Sequence, residues 1–209
     1  ALGLPPSDVC DDATFLRRAT IDIAGRMPTP LEVTAFAADT APDKRAKLVD
    51  RLLVSPEYAE YFATKWGAVL RNRRKSDKDA PKPTLAFRDW IEKSLAENKP
   101  YDKFVREVLT VQGEEIKDPA VVWYRELKDP TAAMEDAAQL FLGQRMGCAK
   151  CHHHPFEKWS QHDYWSLAAF FTRVTVTEPK PEKKKGKDVQ TPAEPAKVGV
   201  KAGAATAVN

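Results

Sequence analysis

Helix-start signals recur along this chain, each followed by apolar residues spaced three and four apart. Asp11-Asp12 precede Phe15, Leu16, Ala19 and Ile23, with acids at the positive end of the helix dipole. Thr29-Pro30-Leu31-Glu32 combines a capping hydroxyl, a Pro at the first helical position and a Glu three residues on. Leu48, Val49, Leu52 and Leu53 follow Pro42. Ser55-Pro56 then restarts the chain into Tyr58, Phe62, Trp66, Val69 and Leu70. Further stripes are Phe87, Trp90, Ile91 and Leu95, then Phe104, Val105, Val108 and Leu109, ending before Gly113. Asp129-Pro130 opens a helix bearing Met134, Ala138, Phe141 and Leu142, and Ser160 with Asp163 caps another bearing Tyr164, Leu167, Ala168 and Phe171. This punctuation predicts a mainly α fold of about eight helices over residues 8–177.

Three stretches read otherwise. Residues 73–83 are charged and Pro-containing, as in a solvated loop. Residues 114–128 have no clear period, and 172–177 alternate as in a short strand. From 178 to 209 the chain turns to Pro, Lys, Glu, Gly and Ala with no aromatic residue. That composition buries too little apolar surface to offset its ordering entropy and predicts a disordered, Lys/Pro-rich linker or tail.

The tail also accounts for the charge. The whole chain is +3, but 179–209 hold seven Lys and three acids. The remainder, with 26 basic and 27 acidic residues, is close to neutral. No basic stripe suited to a phosphate backbone is present, so nucleic acid is not an expected partner. No apolar run approaches the ~20 residues of a membrane span. The first residues lack the basic and long apolar regions of a signal peptide, so the expectation is a mature chain or an excised fragment.

The chemistry sits at Cys148-Ala149-Lys150-Cys151-His152, the C-x-x-C-H pattern of covalent haem attachment. Thiols at i and i+3 lie on one side of a helical turn and can bond the two vinyl groups of one haem edge. His152 then presents an imidazole nitrogen to the iron. The expected cofactor is a single, covalently attached heme c, with His152 as axial ligand. A zinc site is the rival reading, but it would need two further ligands from a distant segment. A redox dithiol would follow a strand, whereas a helix leads into this motif.

Around the motif lie Phe141, Leu142, Phe156, Trp159, Tyr164, Trp165, Phe170 and Phe171, enough to wall a large apolar ring or simply to form core. Trp159 is the expected propionate or haem-edge contact, because indole offers an N–H as well as apolar area. His154 is expected to bond a propionate or a backbone carbonyl, and His153 to lie on the surface. The sixth iron position stays open among Cys10, Met27, His162 and no protein ligand at all. Met134 and Met146 read as core fillers.

The stretch from Cys10-Asp11-Asp12-Ala13-Thr14-Phe15-Leu16-Arg17-Arg18 to Gly25-Arg26-Met27-Pro28-Thr29-Pro30 resembles the start of a planctomycete cytochrome-associated family, domain of unknown function 1549. So do Asp43 to Leu53, and Phe141-Leu142-Gly143 through Cys148, Cys151, His152, His154-Pro155-Phe156, Asp163-Tyr164-Trp165 and Ala168-Ala169-Phe170-Phe171. The resemblance implies a module of large, exported, multi-domain proteins, often beside another cytochrome domain. It supports Cys148, Cys151 and His152 as the attachment set and His154 as a pocket residue.

Three functions follow as expectations. The first is a monohaem electron-transfer module, periplasmic or extracellular, passing electrons to a redox partner protein or neighbouring cytochrome domain. The second is a haem enzyme or sensor acting on peroxide or a diatomic gas at an open sixth position. The third is a structural role for the cofactor. No paired carboxylates, Ser-His-Asp arrangement or phosphate-binding loop points to hydrolase chemistry, so a catalytic residue is not assigned.

Overall fold

A computed structural model describes residues 7–74, 81–127, 129–177 and 196–201. The chain is mainly helical, with eight α-helices among the described residues: α1 (Asp12–Ala24), α2 (Pro30–Ala38), α3 (Lys44–Leu53), α4 (Pro56–Val69), α5 (Lys82–Ala96), α6 (Tyr101–Thr110), α7 (Pro130–Leu142) and α8 (Gln161–Ala169). Two 3-10 segments, Pro119–Arg125 and Gly147–Lys150, and three short strands complete it: β1 (Gly113–Glu114), β2 (Val174–Thr177) and β3 (Lys197–Val200).

The expected caps form. Asp11 accepts the Thr14 N–H, Ser55 that of Tyr58, and Asp129 those of Thr131 and Ala132. Thr29–Glu32 and Ser160–Asp163 are reciprocal capping boxes that satisfy orphan donors at the starts of α2 and α8. Most of the loop expected at 73–83 lies outside the described residues, and α5 already begins at Lys82.

The aperiodic stretch has a physical explanation. Within Pro119–Arg125, the five residues Ala120, Val121, Val122, Trp123 and Tyr124 are all buried. A segment enclosed on every side has no solvent face and therefore no amphipathic period. It runs through the main core with Leu70, Phe87, Ile91, Phe104 and Val108. A second core joins Leu16, Phe36, Leu48 and Leu52 across α1–α3. A third joins Met134 and Ala138 of α7, Met146, Ala149 and, from α8, Tyr164 and Ala168.

The tail expectation needs correction at one place. Residues 178–195 and 202–209 lie outside the described residues, but Lys197–Val200 form the middle strand of an antiparallel sheet ordered β1-β3-β2. Val176 is paired with Val198, and Val174 with Val200. Val198 is buried in the main core. A strand of this length needs only one or two inward apolar side chains, which whole-segment composition conceals. At β1, Gly113 adopts φ 129, and a Cβ there would collide with the Asp118 carboxylate.

Charged groups tie the layers together. Asp12 at the start of α1 receives Lys44 at 2.6 Å and Arg45 at 2.7 Å from α3, and these partners hold its carboxyl below the usual range. Asp136 of α7 is buried; Arg71 approaches it at 2.5 Å and the Trp123 indole N–H donates to it at 3.1 Å. Arg71 holds a left-handed backbone, φ 53, just past the end of α4. Removing Asp136 leaves a buried indole N–H unpaired and a guanidinium without its carboxylate. Asp136→Ala is expected to lose about 3 kcal/mol in urea denaturation.

Glu32 supplies an acid-sensitive contribution. The Arg26 guanidinium, at 2.9 Å, together with the Thr29 donors, lowers its carboxyl from 4.5 to about 2. A depressed folded-state value means the stabilisation is complete above 4.5 and is lost as pH falls through about 2. Glu32→Gln is expected to cost about 1 kcal/mol at neutral pH and to flatten the pH dependence of the urea midpoint across that acid window.

Candidate haem-attachment site

Helix α7 ends where Gly143 takes the left-handed conformation at φ 65, and the Gly143 and Gln144 N–H groups both donate to the Ala138 carbonyl. A left-handed glycine just past the last turn is a common helix stop. It turns the chain into Gly147–Lys150, the 3-10 segment that carries the first thiol. The Cys151 N–H donates to the Cys148 carbonyl at 3.4 Å. Residues three apart eclipse in 3-10 geometry, so the tight turn sets both cysteines on one side. Both are free thiols and both are exposed, while Ala149 between them is buried against α8.

The three consecutive histidines are held in two different ways. The Nδ1 atom of His152 lies 2.6 Å from the His153 carbonyl oxygen. A carbonyl oxygen only accepts, so this nitrogen carries the proton and the neutral ring keeps its lone pair on Nε2. His153 Nδ1 accepts the Gln161 N–H at 3.2 Å, at the start of α8. His154 Nδ1 accepts the Phe156 and Glu157 N–H groups at 3.3 and 3.0 Å. In the last two rings the neutral form carries its proton on Nε2. Of the three, His152 alone offers Nε2 as a ligand.

Beside the turn lies a cleft of about 690 Å³, lined among others by Glu135, Gln144, Met146, Cys148, His154 and Phe156. Its size is within the usual range for small-molecule and cofactor sites. Three features fit a large, flat, apolar group. Phe156, on the cleft lining, is 92% exposed, which leaves most of its apolar surface uncovered. A Cβ built at Gly143 or Gly147 meets nothing within 4 Å, so the floor of the cleft is open. Cys148 stands on its wall, whereas Cys151 and His152 are not among the lining residues. Among the described residues no three His, Cys, Asp or Glu side chains converge as a metal-binding group, so the two thiols are not half of a preformed tetrahedral set.

Other expected residues fall as follows. Trp159 is half-buried against the third core and its indole N–H donates to Gln144 Oε1 at 3.1 Å. A propionate contact would therefore run through Gln144, on the cleft wall, rather than through the indole itself. His162 lies within 3.5 Å of Ser166 on the exposed side of α8. Cys10 and Met27 belong to the α1–α2 region, which packs on α3 and α4, and neither lines the cleft. Met146 is buried next to the motif, as expected of a core filler, yet also reaches the cleft.

Glu135, Gln144 and Arg145 are lining residues that sequence reasoning missed. Glu135 accepts a 2.5 Å bond from the buried Tyr164 hydroxyl, and burial first, then this bond, pushes the phenol up. The signal for Gln144 and Arg145 was available: both lie between Gly143 and Gly147, in the link from the α7 stop to the thiol turn.

The family model PSCyt2, described as protein of unknown function (DUF1549), matches residues 1–176. No curated protein matches the chain. No solved structure matches it either. No helix among the described residues is long and apolar enough to cross a membrane.

The loop after the motif offers a test independent of any cofactor. His154→Ala removes the acceptor for two backbone N–H groups. Hydrogen exchange at the Phe156 and Glu157 amides is expected to accelerate about tenfold, with the α7 amides unchanged.

Proposed function

The chain belongs to the family described as protein of unknown function (DUF1549), and from that premise we propose that it is a monohaem c-type cytochrome domain transferring electrons outside the cytoplasm. The observation that carries this reading is one short turn. Two exposed thiols three residues apart are followed at once by the histidine whose neighbour's carbonyl frees Nε2.

Cys148 and Cys151 would hold the group, each through a thioether formed by addition of its S–H across a vinyl double bond without net oxidation. When bound, the haem supplies reversible one-electron exchange at its iron. The protein's own residues bind and orient it. The His153 carbonyl fixes the His152 tautomer and ring, as outer partners of metal-bound histidines do. The His154 Nε2–H and Arg145 offer donors to carboxylates in the cleft. Gln144 positions Trp159, and Phe156 supplies an apolar cover. Covalent attachment takes place after export, which assigns the domain to the periplasm or the cell exterior. Its partner is then a redox protein or a neighbouring cytochrome domain of a larger, planctomycete-type parent.

One observation favours a second reading, a haem enzyme or sensor with an open sixth position. Neither Cys10 nor Met27 lines the cleft, and the one methionine that does, Met146, is buried in the third core.

Protein matured with the export-side attachment machinery is expected to gain the mass of one haem, and the double variant Cys148→Ala/Cys151→Ala to gain none. His152→Ala is expected to keep the covalent mass but change the absorption spectrum. Wild-type protein with no added porphyrin, or with zinc instead, overturns the proposal. Low-spin iron inert to carbon monoxide supports electron transfer, whereas high-spin iron that binds it selects the second reading.

A further inference from the structure

Strands β1 and β2 do not pair with each other; both pair with β3, which lies between them. The family match ends at 176, before β3 begins at Lys197. The facing edges of β1 and β2 are separated by the width of one strand, which β3 occupies. With neighbouring strands ~4.8 Å apart, the two edges stand on the order of 10 Å from each other.

The gap is equipped to read an extended backbone. On one side, Val174–Thr177 pair with Lys197–Val200 in antiparallel register, and on the other Gly113–Glu114 pair with Lys197–Val198. At one end the buried Glu115 acts twice: its N–H donates to the Ala196 carbonyl, and its Oε2 accepts the Ala196 N–H, both at 3.2 Å. Its other oxygen takes the Arg125 Nε–H at 3.0 Å, which keeps the carboxylate compensated. At the opposite end Arg173 Nε donates to the Lys201 carbonyl at 2.8 Å, and the Lys201 N–H donates to the Arg173 carbonyl at 2.9 Å. Between them the Thr175 hydroxyl donates to the Gly199 carbonyl at 3.0 Å. Side-chain selection is simple. Val198 enters the main core at 5% exposure, and Lys197 meets Glu114 at 2.8 Å.

We infer that the gap between β1 and β2 is a strand-binding site for an extended peptide, which this chain fills with its own residues 196–201. The ligand class is a segment alternating basic and apolar residues, with one buried aliphatic side chain: Lys197-Val198-Gly199-Val200-Lys201. Main-chain pairing supplies the affinity and the Val198 position the selectivity, as in other strand additions to a sheet. The segment is joined to β2 through residues 178–195, which are rich in Lys, Pro and Glu. Because the segment is covalently part of the chain, its pairing is intramolecular and competes with any free peptide. This inference does not depend on the haem.

The test uses the full chain with one specific protease site inserted between Gly186 and Lys187, cleaved after folding. After the released segment is washed away, a labelled peptide spanning residues 194–203 is expected to bind saturably. The Val198→Asp peptide is expected to bind at least about tenfold more weakly, and uncut protein not at all. Hydrogen exchange at the Val174–Thr177 amides should be slow in the uncut chain, fast after release and slow again with peptide. If release unfolds the protein, recovery of its circular dichroism on adding the peptide supports the inference, and failure to recover overturns it. Equal binding of the two peptides, no binding, or exchange unaffected by release also overturns it.

Discussion

The Asp136 carboxylate lies where three separately formed parts of the chain meet. Arg71 comes from the end of α4, Trp123 from the buried 3-10 segment, and Asp136 itself from the middle of α7. Burying a lone carboxylate is costly, so this position is tolerable only with both partners present. The main core therefore fixes where α7 lies and how it is rotated. That matters beyond stability, because α7 delivers the chain into the thiol turn through a helix stop at Gly143. A misplaced α7 would carry Cys148 with it.

From there the site is built by backbone geometry more than by side-chain packing. The 3-10 turn sets the thiols on one side, and Ala149 seats the turn against α8. Three adjacent histidines would be interchangeable as ligands in an unfolded chain. Folding separates them by hydrogen bonding: one ring donates through Nδ1 to a carbonyl, and two accept backbone N–H groups at the same atom. Each arrangement leaves a different atom at Nε2, a lone pair in His152 and a proton in its neighbours. The local loop thus distinguishes the three rings by which ring nitrogen carries the proton.

Much of this was legible in the sequence because it is local. Caps such as Thr29–Glu32 and Ser160–Asp163 act over three residues, and the thiol–histidine turn spans five. What was not legible depends on distant partners. The stretch from Ala120 to Tyr124 shows no period because every face is enclosed. Asp136 looks like a surface acid on an amphipathic helix until Arg71, far upstream, is brought to it. Lys197–Val200 sit among lysines and small residues, and only pairing with β2 and β1 gives them a conformation. Trp159 is expected from sequence to meet a haem propionate or edge; in the fold its indole N–H goes to Gln144, a residue with no marked pattern of its own.

The distribution of exposed apolar surface bears on what the cleft is for. Scattered exposed aliphatic residues are ordinary, but a phenylalanine 92% exposed immediately beyond the thiol–histidine turn is not. The Phe156 N–H is fixed to the His154 ring, so the backbone holding this phenylalanine is tied down rather than free to fold the side chain inward. A loop that spends a histidine to hold an aromatic outward makes physical sense if something apolar comes to lie against it. The cleft wall offers the means to keep such a group there, a thiol able to bond it covalently, with Arg145 and His154 near enough to meet its polar edge. A covalent bond would let so open a cleft retain a ligand, where a non-covalent one would need an enclosed pocket to bury most of its surface.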